Sequence, residues 1–297
     1  MTARKKLASI AIVIAVLSAA GIAGATASHA ILTRGGGNNP GVVKCPGGMT
    51  RLGHELNEAT SVFPFDPAID IDTIYTVAGS EFRVEQVHIG AHTGTHLDVP
   101  GHFIAGGATI DDLDAEDFVW PAYKIDVRDM SFENDQVEKA DIRAYERKHG
   151  RIKPGSLVVL QTGAEEFFGL DGVGDEAMTA ELTGDDGEPF TGSNNVDDLF
   201  NFENVGFSGA AITWMFDKRG IDGVGSDAYG PDAATDAAYD ATFTTLDLGG
   251  VALVAIANLD SVSVRGDVIM APTVSLTDGS GFSTDPIACH GKKRGNN

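Results

Sequence analysis

The stretch Ala210-Ala-Ile-Thr-Trp-Met-Phe-Asp-Lys-Arg219-Gly220-Ile-Asp-Gly223-Val-Gly-Ser-Asp227 reads as a helix, a stop and a strand in direct succession. Its first part has the spacing of an amphipathic helix, and Gly220 supplies the usual closing residue. Gly223 to Asp227 is short and extended in character. Upstream, Leu157-Val-Val-Leu-Gln-Thr162 is an apolar run with the length of a buried strand, ending at Gly163, the kind of position where loop residues carry chemistry. Downstream, Val251 to Ala257 repeats that pattern and ends at Asn258-Leu-Asp260. Tyr123 to Val127 is another short strand, and Glu138 to His149 is polar and helical in character. Phe82 to Ile89 alternates apolar and polar residues and predicts a strand. Strands separated by helices predict an α/β fold with a mixed sheet, as a single domain over residues 51–290. No internal repeat is evident.

The bulk properties limit what such a domain can do. The chain has 297 residues, and its 42% apolar content is enough for a core. Acidic residues outnumber basic ones 43 to 21, for a net charge of −22. Phosphate recognition needs clustered Lys and Arg, so nucleic acid is excluded as a natural partner. Anionic lipid is disfavoured for the same reason. An acid excess of this size fits a strongly hydrated surface in a salty or extracellular setting.

Residues 1–30 stand apart. Arg4, Lys5 and Lys6 precede an apolar run from Leu7 to about Ala25, and small residues follow. This is the layout of a secretory signal peptide, with an uncleaved membrane anchor as the alternative. Both predict export, to a secreted or extracytoplasmic location, and membrane association only if the segment is kept. Residues 31–50, with Gly35-Gly36-Gly37-Asn38-Asn39-Pro40, predict a flexible linker. Cys45 and Cys289 are the two cysteines, and an oxidising compartment predicts a disulfide closing a very long loop. Residues 164–203 are acidic and rich in Gly and Asp. They predict a surface excursion or lid, and they carry no motif.

The chemistry is concentrated elsewhere. Four of the eight histidines fall in His88-Ile-Gly-Ala-His92-Thr-Gly-Thr-His96-Leu-Asp98-Val-Pro-Gly-His102-Phe103. Imidazole nitrogen and carboxylate oxygen are ligands for a divalent metal of intermediate softness. His96 and Asp98 are two apart, so on extended backbone both leave the same face. Gly94 predicts a bend that brings His92 to the same ion. Three protein ligands leave positions open for water and substrate, as a catalytic metal requires. His102, beyond the turn at Pro100-Gly101, is placed as a general acid–base. His88 is read as a surface or supporting residue.

The segment from His92 to Phe103 resembles the HxGTHxDxPxH signature of the cyclase family, which includes bacterial kynurenine formamidases, isatin hydrolases and trans-dienelactone hydrolases. Similarity continues at Phe63-Pro64-Phe65-Asp66-Pro67, at Leu160-Gln161-Thr162-Gly163, at Gly225-Ser226-Asp227 and at Ala257-Asn258-Leu259-Asp260. The resemblance implies a swivelling β/β/α fold and metal-assisted hydrolysis of an amide, lactam or lactone. It implies metal binding by His92, His96 and Asp98, acid–base work by His102, a small-molecule substrate and a homo-oligomer. One departure stands out. Members with two zinc ions use a later His and Glu, and counting back from Asn258-Leu259 puts Thr242 and Val254 at those positions. One divalent ion, Mn or Zn, is therefore expected, with Gln161, Asp236 or Asp240 as additional ligands. Phe63, Phe65, Phe103 and Trp120 are candidates for substrate contact. Two other functions compete with the hydrolase. A member that binds metal or ligand without catalysis is the first. A serine hydrolase is the weaker second, because Gly206-Phe-Ser208-Gly-Ala210 has Ala where the elbow motif needs glycine.

Overall fold

The computed structural model describes residues 44–58, 60, 62, 66–168, 182–183, 189–190 and 204–291. The expected signal segment, the loop residues Phe63 and Phe65, and most of the acidic excursion lie outside them. Nine strands form the main sheet: β1 (Met49–Arg51), β2 (His96–Asp98), β3 (Val119–Asp126), β4 (Leu157–Gln161), β5 (Gly223–Ser226), β6 (Val251–Val254), β7 (Arg265–Met270), β8 (Gly281–Ser283) and β9 (Ile287–Cys289). Their order across the sheet is β1-β9-β7-β3-β4-β5-β6-β2-β8. The neighbours β3, β4, β5 and β6 run parallel, and the flanking pairings are antiparallel. The α/β mixed sheet is as expected.

Parallel neighbours need crossovers, and helices supply them. Helix α1 (Lys139–His149) lies between β3 and β4, α2 (Gly209–Arg219) between β4 and β5, and α3 (Asp240–Asp247) between β5 and β6. The apolar run of β4 is explained by burial on both faces. Leu157 and Val159 belong to one core cluster, with Leu97, Trp120, Leu253 and Ile269. Val158 and Leu160 point the other way, into a second cluster with Ile142, Tyr145, Ile212 and Met215 from the helices. Helix α2 starts where the Ser208 hydroxyl accepts from the Ala211 amide, and it ends at Gly220 in the left-handed region, φ 63°. Ser208 also donates to Glu138 Oε2 at 2.9 Å. It is a capping residue, which removes the serine-elbow alternative.

Two expectations change in extent. Residues Val84–His88 form the expected strand, but it pairs with Asp70–Tyr75 in a separate exposed hairpin instead of entering the main sheet. The linker expected over residues 31–50 ends earlier. Met49–Arg51 pairs with β9, and Cys45 is disulfide-bonded to Cys289. His290 completes the anchor by bridging Thr50 Oγ1 and Asp267 Oδ2, each at 2.9 Å. Among the described residues no helix is long and apolar enough to cross a membrane.

Candidate metal centre and its cavity

Strand β2 sits between β6 and β8, with His96 opposite Val254 on one side and Ser283 on the other. Its period of two sends Leu97 into the core and turns His96 and Asp98 together to the opposite face. Both are buried. Gly94 has φ 64°, and a Cβ there would meet Leu56 Cδ2 at 2.5 Å, so the bend requires glycine. Across that bend the His92 Nδ1 lies 2.8 Å from Asp98 Oδ1. His96 Nε2 lies 3.3 Å from the same oxygen. Gly281 on β8 makes room for the His92 ring, whose Cε1 would be 2.7 Å from a Cβ at that position. One ligand atom from each of His92, His96 and Asp98 falls within 4.8 Å of the other two.

The electrostatics fit a cation. The Gly94 carbonyl can only accept, so His96 Nδ1 carries a proton and donates to it at 2.7 Å, which makes Nε2, facing Asp98, the nitrogen that would ligate once deprotonated. Burial pulls the His96 imidazole down, but the Asp98 charge and hydrogen bond outweigh it, and the net shift is upward. Burial alone would raise Asp98. The His96 charge and the hydrogen bonds from His92 and His96 instead hold its carboxyl well below the usual carboxylate range. A buried carboxylate kept ionised by two imidazoles is a donor set that a divalent ion can occupy.

His102 ends a single turn begun by Pro100. Its ring stacks on that of His92 with centroids 3.9 Å apart. Desolvation lowers its pKa, and charge on His92 and His96 adds to the effect while Asp98 opposes it. These four residues open onto a cavity of about 510 Å³, with Phe103, Tyr229 and Tyr239 as its aromatic lining.

Other sequence candidates lie elsewhere. Gln161 does not line this cavity. Its Oε1 accepts from the buried Lys124 ammonium at 2.8 Å, and its Nε2 donates to Asp260 at 2.9 Å. Asp240 is used at a helix junction, where its Oδ2 accepts from the Gly209 amide at 3.1 Å. Asp236 does line the cavity, although its two oxygens accept from the Ala238 and Asp240 amides. Trp120 is a fully buried core residue and not a substrate contact. His88 is exposed, next to Gln86. At the positions of the missing second-half ligands, Thr242 lines the cavity and Val254 pairs directly with His96, so both are where such ligands would be useful.

Two carboxylates in the wall were not assigned from sequence. Asp66 follows the Phe-Pro-Phe loop, and burial raises its pKa against the pull of His92 and His96. Its place in the family-like loop was the available signal. Asp232 accepts from the Thr242 amide at 2.9 Å and from the Thr242 hydroxyl. Burial pushes it up to about 6.

The Cyclase family profile matches residues 50–233. The chain belongs to the cyclase family. It is 29% identical over 235 residues to an isatin hydrolase of Roseibium aggregatum, covering 75% of this chain and 81% of that one. It is 31% identical over 132 residues to a kynurenine formamidase of Bacillus thuringiensis, covering 41% of this chain and 63% of that protein. The fold matches isatin hydrolase A from Labrenzia aggregata bound to benzyl benzoate, with TM-score 0.64, 25% identity and coverage of 81% and 92%. These relatives support a metal-dependent hydrolase of this family.

Proposed function

We propose that the protein is an exported hydrolase that opens an amide, lactam or lactone bond in a small, cyclic or acylated, carbonyl compound. The observation that carries this is the set of half-buried His92 with buried His96 and Asp98, and the His102 ring stacked beside it, all lining one cavity. A divalent ion, Mn or Zn, held by His92, His96 and Asp98 would supply positive charge that polarises a carbonyl and acidifies water. The chain's own residues do the rest. Asp98 offsets the ion's charge, and the Gly94 carbonyl fixes the His96 ring. Burial lowers the His102 pKa and so favours the neutral ring, which can take a proton from the attacking water and return it to the leaving nitrogen or oxygen. The carbon–nitrogen or carbon–oxygen bond breaks, leaving a carboxylate and an amine or alcohol. Phe103, Tyr229 and Tyr239 flank a flat substrate and limit water entry. Export is supported by the N-terminal segment, the acid excess and the disulfide.

The test is elemental analysis of purified protein with a panel of formamides, lactams and lactones. Bound metal, with ring opening that a chelator abolishes, is expected. Full turnover after chelation would reject the proposal. Thr242 and Val254 favour one alternative, a member that binds metal without turnover. Stoichiometric metal with no hydrolysis across the panel would favour it.

A further inference from the structure

The far wall of the cavity has a charge pattern that the hydrolytic reaction does not need. Asp66, Asp98, Asp232 and Asp236 line the cavity, and among the described residues no lysine or arginine does. Asp98 is taken up by the histidines. Asp236 turns both oxygens onto its own loop. Asp232 is different. It is buried, only 8% exposed, and its carboxylate accepts from the Thr242 amide and hydroxyl and from the Ala241 amide. A carboxylate offers about four acceptor positions, so acceptor capacity remains. Gly230 also lines the cavity, and a Cβ there would lie 3.0 Å from Asp232 Oδ2 and 3.7 Å from Thr242 Oγ1. With glycine at that position, residue 230 places no side chain over the carboxylate. An acceptor with little access to water, beside an aromatic lining, suits a flat ligand bearing a hydrogen-bond donor.

We infer that Asp232 is a specificity residue that accepts a hydrogen bond from a substrate N–H, so that amides and N–H lactams are preferred over lactones and N-alkylated lactams. The inference rests on the hydrolase reading for the identity of the cavity and narrows its substrate class. A buried acceptor discriminates strongly, because an analogue without the donor leaves it unpaired. A lactone ring oxygen directed at the carboxylate adds lone-pair repulsion to that loss.

Binding separates this inference from turnover. Three matched bicyclic compounds serve as probes: 2-indolinone, N-methyl-2-indolinone and 2-coumaranone. They are titrated calorimetrically into metal-loaded His102→Ala protein, where slow chemistry keeps them intact, and into the same protein carrying Asp232→Ala. The expected result is at least tenfold tighter binding of 2-indolinone than of either analogue, collapsing to within threefold when Asp232 is removed. Equal affinities in the parent, or a preference that survives Asp232→Ala, would overturn the inference. Should Asp232→Ala not fold, Asp232→Asn is the second variant. Its amide can donate, so the lactone should gain on the N-methyl compound. Turnover of the same compounds by the unaltered protein reports separately on the hydrolase reading. Hydrolysis without N–H preference defeats only the inference, and N–H-selective binding without hydrolysis defeats only the reading.

Discussion

The two walls of the cavity satisfy their polar groups in opposite ways. On the first, His96 and Asp98 project from β2, a strand paired on both sides, and two imidazoles crowd around one carboxylate oxygen. Charge on His92 and His96 repels charge on His102, while the ionised Asp98 leaves the arrangement open to a cation. On the second, Asp232 and Thr242 close on each other across the loop that leads into α3, with amide and hydroxyl both donating to the carboxylate. That wall is complete without a cation. Of the two positions where the family resemblance leads one to expect further ligands, Thr242 is held by Asp232 and Val254 is buried beside His96. Metal binding should therefore depend on the first wall alone.

The largest effect expected from breaking this contrast is at Asp98. Asp98→Ala removes the carboxylate on which His92 and His96 converge. Metal content should fall to background, and activity by roughly 10³-fold or more, since the Lewis acid leaves with the ligand. Asp236→Asn, on the second wall, should leave metal content unchanged by elemental analysis. A metal signal that followed Asp236 instead would reverse the assignment of the walls.

A smaller but more specific effect belongs to His102. His102→Ala should retain metal and lose about 10²- to 10⁴-fold in kcat, the range of a positioned acid–base. The sign of the pH dependence follows from the downward shift. A lowered pKa keeps the ring neutral to lower pH, so the acid limb of kcat/KM should lie below the ordinary imidazole value of 6.5. A bound cation moves it further the same way. The limb should vanish in His102→Ala, and a limb above 6.5 would contradict the stacking environment described here.

How much of this was legible in the sequence depends on how local the cause is. The shared face of His96 and Asp98 follows from strand period alone, and the bend at Gly94 from the one residue that tolerates it. The α/β order was legible because β4 is buried on both faces and so reads as an unbroken apolar run. Gln161 was misleading. Its neighbour in the sheet, β3, brings Lys124 against it, and the lysine also donates to the Leu259 carbonyl at 2.7 Å, a meeting of three distant segments. Asp240 sits at a helix start, where a carboxylate is also a good partner for the adjacent start of α2. Asp232 had no sequence signal at all, because its value lies in a loop closure onto Thr242 that no periodicity encodes.

The smallest effects test whether the second wall is complete by itself. Asp232 titrates at about 6 in the folded chain against an ordinary 3.8, because burial penalises its charged form. The folded state thus holds its proton more tightly than the unfolded chain. This contribution is fully present below 3.8, is lost as pH rises through about 6, and is worth up to roughly 3 kcal/mol. In metal-free protein the Tm advantage of the parent over Asp232→Asn should therefore shrink by several degrees between pH 4 and 6.5 and then level off. A difference that grew with pH would mean that the carboxylate is stabilised in its charged form. Thr242→Val acts on the same pair from the other side, removing the hydroxyl but not the backbone donor. About 1–2 kcal/mol of stability should be lost at neutral pH, where the unpaired oxygen is charged, and less at pH 4, where it is not. Metal content should not move. If it did, Thr242 would be a weak ligand after all, and the two walls would be halves of one metal site.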